Sequence, residues 1–311
     1  MKVFKSLDEI KDIECTATAL GNFDGVHLGH QALISEAVKQ AKEKGLKSAV
    51  FTFSNHPKNV ISGTNMVKNI IYNDEKEDIL EAMGVDYLFS LDYTKEFGSM
   101  EPKEFTAELL VKHFRVKHVV CGFNYRYGYG AKGDSQTLIE QGCIQGFDVS
   151  VMDAVSLEGS VVSSTLIRGL ITQGEMEECG RYLGRTYSIG GTVIEGNHIG
   201  RTIGFPTCNI TVDETMVSPA SGVYVTRCRV DGQVYPAITN VGSKPTIGLY
   251  HKNVETHLLD VKVDLYGKEI RVEFLKKLRD ERKFENIEAL TEEIQRNCDT
   301  AREYHKLLKK Q

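Results

Sequence analysis

The sequence lacks the features that would place the protein in a membrane, in an oxidising compartment or on nucleic acid. No apolar run among its 311 residues approaches the ~20 residues of a membrane-spanning helix. Its seven cysteines are scattered, without any Cys-x-x-Cys, which is typical of reduced thiols rather than of a disulfide framework. The net charge of -5 gives no reason to expect nucleic-acid binding. We therefore expect a cytoplasmic protein with neither a membrane nor a nucleic-acid partner.

Targeting and linker segments are not recognised either. The amino-terminal stretch turns acidic at Asp8 and Glu9, too early for a secretory signal peptide. A content of 41% hydrophobic and 26% charged residues is that of an ordinary globular protein, and the length predicts about two domains. No Pro- or Ser-rich linker, internal repeat or low-complexity segment is seen, so the two domains are expected to touch.

Strands and helices alternate along the first half of the chain. Short apolar stretches predict strands at 16–20, 48–53, 85–91, 118–123 and 147–155. Helical patterns separate these strands at 30–44, 74–83, 102–114 and 134–142. This alternation predicts an α/β domain with a Rossmann-like parallel sheet, in which ligands bind beyond the carboxyl ends of the strands.

The junction after the first of these strands, 21–30, reads Gly-Asn-Phe-Asp-Gly-Val-His-Leu-Gly-His. Gly25 and Gly29 let the backbone approach a ligand without a Cβ in the way, and the free N–H groups of the helix that follows favour a phosphate. His27 and His30 share a face if the helix has begun, and two imidazoles there suggest stabilisation of charge on a reacting phosphate. A metal site, for which only Asp24 would complete a ligand set, and a plain turn are the alternatives.

Two further polar loops follow later strands. His56, just before a proline, either faces the same site or is a solvated loop residue. The loop 121–134 contains a formal Gly-x-Gly-x-x-Gly at 128–133, but these glycines come too long after the strand to form the tight turn of a dinucleotide-binding fold. An aromatic-rich packed loop is the alternative there.

Hydroxyl side chains precede the last helical pattern of this half. Ser163, Ser164 and Thr165 suit the cap of a helix, and Arg168 returns one turn later. Hydroxyls and a bidentate guanidinium would clamp a triphosphate, whereas the plain alternative is a capped helix. The helical pattern runs over 164–183.

Beyond residue 184 the pattern becomes that of an antiparallel sheet or barrel. The strand-like runs are 186–194, 206–212, 222–230, 233–241, 254–260 and 269–275. Asp231-Gly232 suits a two-residue hairpin turn, and an apolar stripe from Ile287 to Leu308 predicts a closing helix. We therefore expect domains at 1–184 and 185–311.

Polar residues in this second half suggest a phosphate-transfer site. Thr207 and Asn209, two apart, point to one side of a strand, and their oxygens are suitable ligands for Mg²⁺. Glu255 stands in an otherwise apolar strand, where a carboxylate is either paired or used chemically; it could accept a hydroxyl proton during phosphate transfer. A glycine-rich hairpin and a surface glutamate are the alternatives. The loop at 196–204 has no Gly-Lys-Ser/Thr and is not a P-loop.

The first half resembles a known family in three segments. The stretch 21–30 is similar to the His-x-Gly-His signature of nucleotidyltransferases and, at its full length, to the bacterial FAD synthetases. Segment 122–128 looks like the Gly-x-Asp/Asn-Phe/Tyr-Arg-Phe/Tyr-Gly of that family, and 162–168 like its Ile-Ser-Ser-Thr-x-x-Arg. The resemblance implies that His27 and His30 stabilise charge as FMN attacks ATP. It also implies nucleotide-binding roles for Gly21, Asn22, Phe23, Asp24, Gly25, Gly29, Asn124, Arg126, Ser163, Ser164, Thr165 and Arg168.

The second half resembles riboflavin kinase. Its hallmarks appear as Gly-Arg-x-x-Gly-Phe-Pro-Thr-x-Asn at 200–209 and Glu-x-His-Leu-Leu-Asp at 255–260. The resemblance implies that Thr207 and Asn209 hold Mg²⁺ and that Glu255 is the base. It also implies ATP- or flavin-binding roles for Gly200, Arg201, Gly204, Pro206 and Arg279.

Together the two resemblances imply a bifunctional enzyme of the bacterial riboflavin kinase/FAD synthetase family. Its substrates would be riboflavin, FMN and ATP with Mg²⁺, and its products FMN and then FAD with pyrophosphate. A flavin-binding regulatory paralogue that has lost one or both activities is the alternative, and a dinucleotide-dependent oxidoreductase is a distant third. The sequence leaves weak self-association open.

Overall fold

The fold is taken from a computed structural model, which describes residues 1–195, 203–246, 249–261 and 263–309, without the side chains of 243–246 and 249–251. The chain divides into two compact units, Met1–Ser164 and Thr165–Gln311. This division falls ahead of the boundary expected near Gly184, because the two helices after Ser164 group with the second unit. No helix in the described ranges has the length and apolar character needed to cross a membrane.

The first unit is built on a six-stranded sheet in which each strand pair is parallel. Its strands are β1 (Lys2–Phe4), β2 (Thr16–Leu20), β3 (Lys47–Phe53), β4 (Tyr87–Leu91), β5 (Val116–Gly122) and β8 (Asp148–Met152). The short strands β6 (Arg126–Tyr127), β7 (Gly133–Asp134), β9 (Ser156–Leu157) and β10 (Ser160–Val161) form two small hairpins. The helices are α1 (Leu28–Lys44), α2 (Pro57–Ser62), α3 (Asn73–Ala82), α4 (Lys95–Gly98), α5 (Pro102–Glu104), which a π-helix (Phe105–His113) extends, and α6 (Ser135–Gln145). The predicted parallel α/β sheet is confirmed.

The strand order places the junction 21–30 at the centre of the sheet. The order is β1-β4-β3-β2-β5-β8, so the chain runs outward from β2 in one direction and then returns to β5 on its other side. Loops that follow β2 and β5 therefore diverge at the point where the order reverses, which is where open α/β sheets bind ligands. Two apolar clusters, built around Phe51, Phe89 and Phe114 and around Ile34, Val50 and Leu88, pack on the sheet.

Two local features of this unit differ from the sequence-based expectation. The strand β1 was not predicted, since three residues carry no periodicity and only the pairing of Lys2–Phe4 with β4 makes them a strand. The helix expected at 102–114 is present, but most of it is wound as a π-helix, in which the Phe114 N–H donates to the Leu109 carbonyl at 2.8 Å.

The second unit contains a nearly closed antiparallel barrel. Its strands are β11 (Tyr187–Thr192), β12 (Cys208–Thr211), β13 (Gly222–Val230), β14 (Gln233–Thr246), β15 (Leu249–Leu258) and β16 (Glu269–Arg279). The order is β11-β16-β13-β14-β15-β12, and an antiparallel bridge between Ile194 and Asn209 joins the two ends. Asp231 and Gly232, with φ of 48° and 74°, form the predicted hairpin turn between β13 and β14.

The helices of this unit are α7 (Ser164–Gln173), α8 (Met176–Leu183) and α9 (Ile287–Leu308). The single helix expected over 164–183 is therefore wrong, because Gly174 breaks it with φ of 84°. The stripe on the closing helix is also only partly buried: Ala301 packs, with Cys298, in a cluster that includes Val225 of β13 and Ile238 of β14, whereas Ile287 and Leu307 are both 62% exposed.

Two candidate active sites

The junction 21–30 folds into a tight loop that carries both histidines. His27 is the N-cap of α1, and its Nδ1 accepts a hydrogen bond from the His30 backbone N–H at 3.2 Å. The two imidazole rings stack, with centroids 3.6 Å apart and planes 16° apart. Because Nδ1 of His27 is an acceptor, a neutral His27 carries its proton on Nε2. The pair therefore lies at the positive end of the 17-residue helix α1, as the phosphate hypothesis requires.

The glycines of this loop lie close to protein neighbours, and the expectation that they also let a ligand approach the backbone stays a prediction. A Cβ on Gly29 would lie 3.2 Å from the His27 ring, and one on Gly25 would lie 3.1 Å from Ile70. Gly25 has φ of 88°, and its non-glycine neighbour Val26 also has a positive φ of 38°. Backbone conformations of this kind are unfavourable for L residues and collect at functional loops.

Hydrogen bonds hold the loop against neighbouring segments of the same unit. The Asp24 carboxylate, 6% exposed, accepts from the Ile70 N–H at 2.8 Å. The Ser164 hydroxyl donates to the Asp24 carbonyl at 2.9 Å, and the Thr52 hydroxyl donates to the Asn22 carbonyl at 2.8 Å. Ser164 and the histidine loop are thus brought together, which the sequence predicted from two motifs that lie far apart.

The remaining candidates of this half occupy different environments. His56 caps α2 through Nδ1, which accepts from the Lys58 N–H at 3.2 Å, and it also lines a pocket with Asn22 and Asp24. It therefore faces the predicted ligand edge of the sheet. Phe23 is fully buried and contacts His30 edge-on, with ring centroids 5.2 Å apart.

The loop after β5 combines exposed and packed residues. Asn124 is exposed, and Arg126, also exposed, forms an ion pair with Asp134 at 3.1 Å. Tyr127 is buried beside Phe105, with ring centroids 4.9 Å apart, so it is a core residue. The nucleotide-binding roles of Asn124 and Arg126 stay predictions.

The hydroxyl segment at the start of α7 is partly accessible to solvent. Gly21 and Ser163 are half-buried, as is Arg168 one turn into α7, whereas Thr165 is exposed. Their nucleotide-binding roles stay predictions.

In the barrel, strand register brings the second set of candidates together. Asn209 of β12 lies directly opposite Glu255 of β15, and Asn240 of β14 lies opposite Glu255 on the other side. Asn253 joins the set: its Nδ2 donates to Asn209 Oδ1 and to Glu255 Oε1, both at 3.0 Å. Asn209 is 5% exposed and Glu255 is half-buried. A carboxylate and two amides therefore form one connected cluster on neighbouring strands.

A second contact holds the loop that precedes β12. The His257 Nδ1 lies 2.8 Å from the Pro206 carbonyl oxygen, so Nδ1 must be the protonated donor. The His257 ring also meets Phe205 edge-on, with centroids 5.5 Å apart. Thr207, half-buried, follows directly, and Gly204 has φ of 90°, a conformation that glycine adopts without strain. Sequence reasoning assigned no role to Asn253 or to the ring of His257. Their contacts with Asn209 and Pro206 join residues that are 44 and 51 positions apart in the chain, and only strand pairing brings these residues together.

The other candidates of the barrel unit have no described contact with the cluster around Glu255. Arg279 ends β16, where its Nε lies 3.3 Å from Oε1 of Glu293, and burial lowers its pKa. Its role in ligand binding stays a prediction. Gly200 and Arg201 lie outside the described residues.

Comparison with known families identifies both halves of the chain. Residues 9–166 match the family model described as FAD synthetase, and residues 183–305 match the model described as riboflavin kinase. The fold and the sites therefore define a two-domain enzyme, with a nucleotidyltransferase-type α/β domain followed by a kinase-type barrel.

Relatives that match this chain over nearly its full length are named for two activities. The protein named bifunctional riboflavin kinase/FMN adenylyltransferase of Bacillus subtilis is 36% identical over 94% of this chain and 93% of its own. The proteins of the same name from Listeria monocytogenes and Escherichia coli K12 are 38% and 33% identical, covering 96% and 99% of this chain and 94% and 99% of theirs. The chain belongs to the family of bifunctional riboflavin kinase/FMN adenylyltransferases.

A solved structure is also similar over nearly the whole chain. A crystal structure described as a macrolide-efflux protein from Streptococcus pneumoniae has a TM-score of 0.89 and 31% identity, and the match covers 96% of this chain and 98% of that one.

Proposed function

We propose that the chain makes FAD from riboflavin in two ATP-dependent steps, one in each domain. The observation that carries this proposal is that each sheet has its own connected polar cluster. The stacked pair His27 and His30 lies at a helix N-terminus, and Asn209, Asn253 and Glu255 are hydrogen-bonded across two barrel strands. The names of the full-length relatives supply the substrates.

In the barrel, riboflavin is phosphorylated to FMN. Glu255 accepts the proton of the ribityl 5′-hydroxyl, the oxygen forms a bond to the γ-phosphorus of ATP, and the bond to ADP breaks. Asn253 holds Oε1 of Glu255 at 3.0 Å and so orients the base. Thr207 and Asn209 would hold Mg²⁺ through hard oxygen donors, and that ion, when bound, neutralises phosphate charge.

In the α/β domain, FMN is adenylylated to FAD. A phosphate oxygen of FMN attacks the α-phosphorus of a second ATP, and pyrophosphate leaves. The nucleophile is already ionised at neutral pH, because the second pKa of a phosphate monoester is ~6, so the domain has to position and stabilise charge rather than supply a base. His27 and His30 do so at the phosphates, and Ser164 and Arg168, which lie one helical turn apart in α7, hold the pyrophosphate.

Two substitutions separate the activities. His30→Ala should abolish FAD formation from FMN and leave riboflavin phosphorylation intact, whereas Glu255→Ala should do the reverse. Purified protein is incubated with ATP, Mg²⁺ and either riboflavin or FMN, and the flavins are resolved by chromatography. If one substitution silenced both reactions in a protein that still folds, the assignment of two sites would be wrong.

A further inference from the structure

An open pocket lies at the carboxyl ends of β2 and β3, beside the first turn of α3. Its wall includes the side chains of Asn22 and Asp24 from the histidine loop, His56 from the loop after β3, and Asn73 and Lys76 from α3. The pocket therefore adjoins the proposed adenylyl-transfer site without being formed by the two histidines.

Lys76 is the unusual member of this wall. Its side chain is buried, with only 6% exposed. Within the described residues the backbone N–H of Lys76 donates to the Tyr72 carbonyl, whereas its ammonium group makes no hydrogen bond or ion pair. Burial lowers the pKa of Lys76, and the nearby carboxylate of Asp24 opposes that shift. Asp24 already accepts the Ile70 N–H. A buried ammonium without a contacting partner is unfavourable, so a ligand that supplies negative charge would be favoured here.

The rest of the pocket also favours an anion. Asn73 begins α3, a helix of 10 residues, whose N-terminal N–H groups and dipole attract negative charge. Asn22 contributes a neutral amide, and Asn73 keeps a second N–H beside the one it donates to the Ser54 carbonyl at 3.1 Å, so both can donate hydrogen bonds. Asp24 is the only acid among the lining residues.

The proposed reaction identifies the anion. Adenylyl transfer joins two phosphates, and the phosphates of ATP are assigned to His27, His30, Ser164 and Arg168. We propose that this pocket is the subsite for the 5′-phosphate of FMN, with the Lys76 ammonium binding that phosphate; this rests on the proposed function. Lys76 moves no proton: it reduces the repulsion between the FMN phosphate and ATP while the new phosphorus–oxygen bond forms and pyrophosphate leaves.

The first test replaces Lys76 by a neutral side chain of similar shape, Lys76→Met, with the exposed Lys117→Met as the matched control for lost charge. FAD formation from FMN is measured with an ATP analogue that carries an imido group between its β- and γ-phosphates. This analogue keeps the bond cleaved in adenylyl transfer and blocks γ-phosphate transfer, so riboflavin serves only as a competitor that lacks the phosphate. We expect the KM for FMN to rise about 10- to 100-fold in Lys76→Met, as for loss of one charge-assisted hydrogen bond. The inhibition constant of riboflavin and the KM for the nucleotide should stay within about threefold of the wild type.

The second test keeps Lys76 and changes the charge of the wall. Asn73→Asp keeps the shape of the side chain but loses the hydrogen bond that Asn73 Nδ2 donates to the Ser54 carbonyl at 3.1 Å, so a purely structural role of this position predicts lower thermal stability and an equal loss of riboflavin and FMN binding. An anion subsite instead predicts a several-fold rise in the KM for FMN with no change in the riboflavin inhibition constant. This variant also keeps the proposal testable if Lys76→Met fails to fold.

Several outcomes would overturn the subsite. An unchanged KM for FMN in both variants excludes it, and a larger rise in the KM for the nucleotide would place an ATP phosphate in the pocket instead. An equal loss of riboflavin and FMN binding would show that Lys76 stabilises the histidine loop and does not bind the phosphate. Wild-type protein that makes no FAD from FMN would refute the proposed function itself, whereas active wild type with unaltered variants would refute only the subsite.

Discussion

Asn253 is the residue through which the two assigned groups of the barrel site are connected. Its amide nitrogen donates to both Asn209 and Glu255 at 3.0 Å. The amide thus orients the base, although it touches no reacting atom in the proposed mechanism.

Changing this amide to a carboxyl should impair the kinase step. In Asn253→Asp the hydrogen-bond donor to Glu255 is replaced by a second acceptor group, so the base is no longer held in place. The kcat for riboflavin phosphorylation should therefore fall by about 10- to 100-fold, as for loss of a hydrogen bond to a charged group. FAD formation from FMN in the same preparation is the control. An unchanged kcat for riboflavin phosphorylation would contradict this role of Asn253.

Among the secondary-structure elements, the break between α7 and α8 shows how one residue divides a helix. Gly174 has φ of 84°, and a Cβ there would lie 2.8 Å from Lys277 Cδ and 2.9 Å from Tyr224 Oη. The Lys277 stem can move aside, but Tyr224 Oη is held by its hydrogen bond to the Ala220 carbonyl at 2.6 Å. The break therefore depends on both the backbone conformation and the space that glycine leaves.

Alanine substitutions at two glycines of this region should have opposite effects. Gly174→Ala should lower the free energy of unfolding of this unit by about 1–3 kcal/mol, because the conformation is unfavourable and Tyr224 must shift. Gly169→Ala is the matched control: Gly169 lies inside α7 with nothing near its would-be Cβ, so the substitution should raise the free energy by about 0.5–1 kcal/mol. Urea unfolding measures both, and equal effects of the two substitutions would contradict the explanation.

Each of the two units carries one buried histidine whose neutral form the fold favours. His118, 5% exposed, lies between Lys44 Nζ at 2.9 Å and Ser150 Oγ at 2.8 Å. His305, 7% exposed, lies with Nε2 3.0 Å from the Thr226 carbonyl, so that nitrogen is the donor. Burial lowers the pKa of both rings.

The stability of the whole protein should consequently fall on acidification. The unfolded chain binds a proton at each of these histidines near pH ~6.5, whereas the folded chain does so only at lower pH. The free energy of unfolding is therefore highest above this pH and decreases as pH falls below it, by at most about 1.4 kcal/mol per pH unit for each ring. His305→Gln keeps a donor for Thr226 and should remove the contribution of that ring, as measured by denaturant unfolding between pH 5 and 8. An unchanged slope would refute the assignment to His305.

At the level of the fold, much was predictable because periodicity is a local property. The strands at 16–20 and 222–230 and the hairpin turn at Asp231 are where the sequence predicts them. The strand Lys2–Phe4 and the π-helix Phe105–His113 were not predictable, since the first exists only through pairing and the second only through the register of its hydrogen bonds.

The sequence by itself determined the domain order, the two sheet types and the families that the chain resembles. Motifs and hydrophobic periodicity can be recognised in short stretches of sequence, because they depend only on residues close together in the chain. Tertiary structure alone decided which polar groups meet. Asn253 reaches Asn209 because of the register of β12 and β15, whereas Glu255 lies two residues further along the same strand. Lys76 is buried in a pocket with Asp24, although 52 positions separate the two in the numbering of the chain. Such contacts depend on which strands become neighbours and on how much water the packing excludes, and neither is encoded in any short stretch of the sequence.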